Sequence, residues 1–168
     1  FALSFTTVIP AWAVRVLGGN AATNGFLYSA RGVGSLIGAL TIASLGRISY
    51  RGKILSGASL LFPFFFIAFS FVRWLPASLV LLVGAGMGMI LVMNLANAMV
   101  QTLTPDHLRG RVMGAYTWIF FGCMPVGALW TGSVAGRIGE PAAVLINAVL
   151  ILSFAAGVWT FFPRLRNE

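Results

Sequence analysis

The chain has 168 residues, of which 59% are hydrophobic and only 8% charged, with a formal net charge of +8 and a mean hydropathy of +0.95. A soluble domain carries roughly a quarter charged residues and leaves about a third of its surface in water, so this composition excludes a water-soluble fold and makes lipid the solvent. The basic residues are scattered between apolar runs instead of clustering with aromatics on a polar face, which argues against nucleic acid as a partner.

A bilayer core about 30 Å thick takes roughly 20 apolar residues as a helix. Six apolar stretches, separated by charged or Gly/Pro-rich joins, run over 1–14, 24–46, 54–72, 77–100, 112–136 and 142–162. The expected fold class is therefore all-α, a polytopic bundle of six transmembrane segments. The first stretch is too short to span. Because the chain opens at Phe1 inside an apolar run, it is expected to enter partway along a helix that begins upstream, as a fragment of a longer protein.

In the second segment Gly32, Gly34 and Gly38 form a small-residue face, matched by Gly84, Gly86 and Gly88 in the fourth; such faces let helix backbones approach closely and can slide or simply pack. Arg31 lies about a third of the way into the second span, where a charge costs at least about 2.5 kcal/mol. Two readings fit it: a cavity residue whose partner is a backbone carbonyl, an anionic substrate or a carboxylate outside this chain, or a side chain snorkelling to the interface. Tyr28 precedes it by three residues, on the same face. In the third segment the phenylalanines from Phe62 to Phe69, around Pro63, are expected to face lipid.

Asn94, Asn97 and Gln101 stand at i, i+3 and i+7 in the fourth segment, a polar stripe that suits either substrate or interhelical hydrogen bonds. Thr104-Pro105-Asp106 reads as an N-cap, a first-turn proline and a favourably placed acid opening the fifth helix. A salt-bridge latch from Asp106, Arg109 or Arg111 to another loop is the alternative. Tyr116 and Trp118 offer aromatic surface in the fifth segment, and Gly122, Pro125 and Gly127 combine small spacing with a helix breaker that is expected to bend it, either as a gate or as a purely structural kink. With one His, one Cys (Cys123) and the internal acids at joins, no catalytic residue, metal site, disulfide or cofactor is expected.

Lys and Arg are retained on the cytoplasmic side during insertion. The joins after the second and fourth segments and the C-terminal tail hold Arg47, Arg51, Lys53, Arg109, Arg111, Arg164 and Arg166, against Arg15, Arg73 and Arg137 on the alternate joins. The C-terminus is therefore expected in the cytoplasm. Gly38-Ala39-Leu40 followed by Gly46-Arg47-Ile48 parallels Gly127-Ala128-Leu129 followed by Gly136-Arg137-Ile138, with opposite orientation in the membrane. That is the pattern of a three-plus-three inverted repeat.

At these residues the sequence resembles the major facilitator superfamily, in particular its drug and siderophore exporter branch of the enterobactin-exporter and macrolide-efflux type. Gly25 to Gly46 followed by Arg47 and Arg51 is similar to that family's glycine-and-arginine loop motif, though no Asp follows Gly46. The run from Gln101 through Asp106, Arg109 and Arg111 to Val112 is similar to the junction between its tenth and eleventh helices, and Gly122 to Gly132 around Pro125 resembles a glycine-proline motif of exchangers. The resemblance implies the C-terminal six-helix half of a twelve-helix carrier in a bacterial-type plasma membrane, lacking its N-terminal half. It further implies export of small amphipathic molecules, drug-like compounds or siderophores, by alternating access and proton antiport. With no carboxylate inside any of the six stretches, the proton-binding residue is expected in the other half. A solute:cation symporter and a half-length membrane component without transport activity are the alternatives. Candidate cavity residues are Tyr28, Arg31, Asn94, Asn97, Gln101 and Tyr116; candidate conformational residues are Gly38, Gly46, Arg47, Arg51, Asp106, Arg109, Arg111, Gly122, Pro125 and Gly127.

Overall fold

A computed structural model describes residues 4–44 and 51–161. Every regular element among them is helical. The entry segment is irregular: a 3-10 turn over Ser4–Thr7, a single α turn, α1, over Ile9–Ala11 and a π turn over Trp12–Val16. Gly18, at φ +62, ends it in the left-handed conformation that glycine adopts without steric cost, and the Gly19 amide closes back on the Ala13 carbonyl at 2.8 Å. Five long helices follow: α2 (Ala21–Ser44), α3 (Arg51–Phe71), α4 (Leu75–Leu103), α5 (Arg109–Ile138) and α6 (Glu140–Phe161). Among the described residues four of them, α2, α4, α5 and α6, are long and apolar enough to cross a membrane, and α3 contributes the apolar stretch Gly57–Phe71.

Local chemistry sets the ends. Asn20 caps α2, its Oδ1 accepting from the amides of Ala22 at 3.0 Å and Thr23 at 3.3 Å while Thr23 Oγ1 accepts from the Asn20 amide at 3.2 Å. This is a capping box with Thr in the third helical position. Thr104 does not open α5 as expected. It closes α4 in an extended conformation at φ −91, ψ 126, and its hydroxyl donates to the Val100 carbonyl at 2.5 Å. The cause is Pro105, whose ring forces the preceding residue out of the helical region. A turn through Asp106 and His107 then leads to α5, which has Leu108 at its N-cap and no side-chain cap.

Helix directions follow from which residues meet. Ser35 reaches the Gly86 carbonyl at 3.4 Å, Gly34 lies on the backbone of Val83 and Gly38 on Met87 and Ile90, so α2 and α4 run in the same direction. On α4's opposite side Gly84 meets the Phe65 ring and Gly88 meets Phe62; the numbers fall as they rise, and α3 is antiparallel. Phe5 packs on Phe66 and Phe69 at ring-centroid distances of 4.7 and 5.4 Å, and Trp12 on Phe69 at 4.4 Å, aligning the entry segment with α3. One residue, Gly139 at φ +91, turns α5 into α6. Asn147 then meets Thr131 across the antiparallel hairpin at 2.8 Å. The chain therefore alternates up and down throughout.

The core is built by the entry segment, α2, α3, α4 and α6 around Phe5, Trp12, Leu27, Phe66, Phe69, Leu82 and Val144. Here the α3 phenylalanines differ from expectation. Phe62, Phe66 and Phe69, at i, i+4 and i+7, all point inward and are buried, leaving Leu61, Phe64 and Phe71 outside. Between lipid-solvated helices the stabilisation comes chiefly from van der Waals packing and interhelical hydrogen bonds. Close-fitting aromatic and glycine surfaces therefore count for more than hydrophobic character. By contrast α5 is the least buried of the four long apolar helices, touches α4 only sparsely and presents Trp118, Val126 and Leu129 outward.

Candidate functional site

Sparse contact between α4 and α5 leaves a cleft of about 150 Å³. Met93, Asn94 and Asn97 line it from α4, and Tyr116, Thr117, Phe120 and Phe121 from α5. Helical periodicity explains the selection, since residues three and four apart share a face on each helix. The walls differ chemically. On α4 stand two carboxamides, with Asn97 Oδ1 accepting from Gln101 Nε2 one turn on. On α5 the Tyr116 ring stacks on Phe120 at 6.1 Å with an interplanar angle of 19°, and Phe120 meets Phe121 edge-on at 5.3 Å. Carboxamides and hydroxyls facing a stacked aromatic wall suit an organic molecule with one apolar face and a few hydrogen-bonding groups. Sites for drug-sized molecules run to about 300–1,000 Å³, so this cleft accommodates part of one.

Asn94, Asn97 and Tyr116 are thus brought together, with Gln101 attached through Asn97. Trp118 points away and is 78% exposed. Tyr28 and Arg31 are elsewhere. The Tyr28 hydroxyl donates to the Thr6 carbonyl at 2.8 Å, and the Arg31 guanidinium lies over the Tyr28 ring, 5.9 Å from its centroid. The Arg31 backbone lies against Gly86 of α4, eight residues and about 12 Å along the axis from Asn94. Tyr28 and Arg31 thus lie outside the lining of the cleft that holds Asn94, Asn97 and Tyr116.

The candidate conformational residues divide similarly. Gly38 is buried against Met87 and Ile90 and Gly127 is buried on α5, whereas Gly122 faces open space and α5 runs unbroken through Pro125. Asp106 pairs with Arg109 three residues on at 2.6 Å, a local contact between exposed side chains, and Arg111 is exposed. Gly46 and Arg47 lie outside the described residues, as does the side chain of Arg51, which begins α3.

Three polar contacts had not been anticipated. Arg15 pairs with Glu140 at 2.9 Å, joining the entry segment to the first residue of α6. The carboxylate is buried and the guanidinium largely exposed. Arg73 lies over the Trp12 ring at 5.4 Å and donates to the Ser70 carbonyl at 2.8 Å, closing the end of α3. The buried Asn147–Thr131 bond ties α6 to α5. A polar residue at the centre of an apolar stretch is a usable signal, and Asn147 carries it; the pairing of Arg15 with Glu140, 125 residues apart, leaves no local trace. Among the described residues no group of metal-binding side chains occurs.

Comparison with known proteins fits this geometry. The chain is 30% identical over 143 residues to the multidrug efflux pump Tap of Mycolicibacterium fortuitum, a match covering 85% of this chain and 35% of that protein. It is 31% identical over 119 residues to the Tap pumps of Mycobacterium bovis and Mycobacterium tuberculosis, covering 71% of this chain and 28% of theirs. The chain thus spans about a third of the length of the curated relatives it matches. No solved structure matches it significantly. A family described as transmembrane secretion effector matches residues 1–167, and the chain belongs to that family, within the major facilitator superfamily of membrane carriers.

Proposed function

We propose that this chain is one half of a secondary carrier that expels small amphipathic organic molecules, and that the cleft between α4 and α5 holds part of the transported molecule. The observation that carries the reading is the cleft's two-sided chemistry, carboxamides of Asn94 and Asn97 opposite stacked Tyr116 and Phe120. Its small volume is consistent with a second wall supplied by a partnering six-helix half, and the relatives' greater length provides for one. The outward apolar faces of α5 and α2, with Phe26, Val33, Leu36 and Leu40 on α2, are surfaces such a half would cover. Multidrug efflux by the Tap pumps supports export of drug-like compounds.

In this reading the entry segment and α3 complete six crossings with the four longer spans, arranged as a three-plus-three inverted repeat. The joins rich in Lys and Arg, and the C-terminus, face the cytoplasm. Alternating access moves the two halves about the central site, with a proton as the counter-ion. The only buried carboxylate among the described residues, Glu140, sits at a helix end in an ion pair, so the proton-bearing group belongs to the partnering half.

The test is efflux of amphipathic dyes from inverted membrane vesicles bearing the protein expressed from its complete gene. Asn94→Ala, Asn97→Ala and Tyr116→Ala are expected to lower proton-gradient-driven transport severalfold at unchanged protein level. Unchanged transport by all three would place the substrate elsewhere, and inward movement of every dye would reverse the direction.

A further inference from the structure

Arg31 is a membrane-embedded cation with no counter-charge beside it among the described residues. Ten residues separate it from Ala21 and thirteen from Ser44, about 15 and 20 Å along the helix axis, farther than its own side chain reaches in either direction. Its Nε is buried and has no hydrogen-bond partner. The Tyr28 ring beside it, 5.9 Å from the guanidinium to its centroid, carries no charge, and the Tyr28 hydroxyl is committed to the Thr6 carbonyl. The two carboxylates in the described residues are both engaged, Glu140 with Arg15 and Asp106 with Arg109. The backbone and the base of the Arg31 side chain are packed on α4, where Gly86 lets the Arg31 carbonyl and Cγ come close, and the guanidinium beyond them lies over the Tyr28 ring.

We propose that Arg31, braced by Tyr28, is a carboxylate-binding site filled from outside this chain. A guanidinium presents N–H pairs that match a carboxylate bidentately. One positive charge in a low-dielectric setting is neutralised by one negative charge; a doubly charged phosphate would leave a net charge in the membrane interior. The carboxylate comes either from an acidic transported molecule or from an acidic side chain of the partnering half. The first source rests on the transport reading above; the second requires only a partnering half.

The experiment uses the protein expressed from its complete gene, purified in detergent, with dansyl-leucine and its uncharged methyl ester as fluorescent probes. For a carboxylate of the transported molecule, the wild type binds dansyl-leucine at least about tenfold more tightly than the ester, Arg31→Gln abolishes the difference and Arg31→Lys keeps part of it. For a carboxylate of the protein, the probes bind alike, or not at all. Arg31→Gln then lowers the thermal midpoint by several degrees, one membrane-embedded Asp or Glu of the other half gives the same loss as its amide, and the double variant is no worse than either single one. The proposal is overturned if Arg31→Gln changes neither the probe preference nor the midpoint, or lowers the midpoint with no acidic counterpart. Failure of the cleft reading shows separately, as ester efflux that Asn94→Ala and Tyr116→Ala leave untouched.

Discussion

At Gly86 a single hydrogen decides how close two helices come. A methyl there would collide with the carbonyl of Arg31, and one at Gly34 with the carbonyl of Val83, both backbone atoms that cannot rotate aside. Gly86→Ala and Gly34→Ala are each expected to cost about 1–3 kcal/mol by overpacking, read as a lower thermal midpoint in detergent. Gly32→Ala, with nothing near the added carbon, is expected to leave the midpoint unchanged or slightly raised, since alanine favours the helix. Equal losses at all three would mean that α2 meets α4 on a different face. Composition and spacing identify these glycines as small-residue surfaces, yet they do not say which of Gly32, Gly34 and Gly38 faces a neighbour. The same applies to the candidate site. Spacing on α4 puts Asn94 and Asn97 together, but their meeting with Tyr116 depends on how α5 leans, and nothing local encodes that. Arg31 is recognisable as unusual from its depth alone, although its distance from the asparagines depends on the register between α2 and α4.

Among the elements, α3 separates what a run of residues reveals from what it conceals. The eight apolar residues from Phe62 to Phe69 look uniformly lipid-facing, and only the 3.6-residue period divides Phe62, Phe66 and Phe69 from Phe64. Phe66→Ala is expected to destabilise by at least about 1 kcal/mol more than Phe64→Ala, because the inward ring loses packing partners that lipid does not replace in shape. Similar midpoints for the two variants would show that α3 is rotated. The entry segment depends on such contacts, for its own turns are too short and irregular to be stable alone, and Phe5 and Trp12 hold it against α3. Its far end is tied by Arg15 to Glu140. With the guanidinium 70% exposed and the carboxylate 8%, a double-mutant cycle with Arg15→Gln and Glu140→Gln is expected to give a coupling of about 1 kcal/mol, a value near zero indicating that the pair is incidental.

For the molecule as a whole, helical content and four of the apolar spans were legible because lipid permits few solutions: a backbone without water must satisfy its own hydrogen bonds, and helices do so within one segment. The up-and-down alternation is what makes the uneven distribution of Lys and Arg informative. α4 and α5, with 29 and 30 residues, are each about 45 Å long and exceed the roughly 30 Å hydrocarbon core. Trp74, before α4, and His107, in the turn after it, are therefore expected in opposite headgroup layers. Both are exposed, so either can carry a reporter thiol in a Cys123→Ala background. If the basic joins face the cytoplasm, a membrane-impermeant maleimide added to intact cells labels Trp74→Cys, while His107→Cys reacts only after permeabilisation. The reverse pattern would invert the orientation and with it the direction assigned to efflux. Labelling of both from one side would mean that α4 does not cross at all, and the cleft it forms with α5 would then open to the aqueous phase instead of to the interior of a carrier.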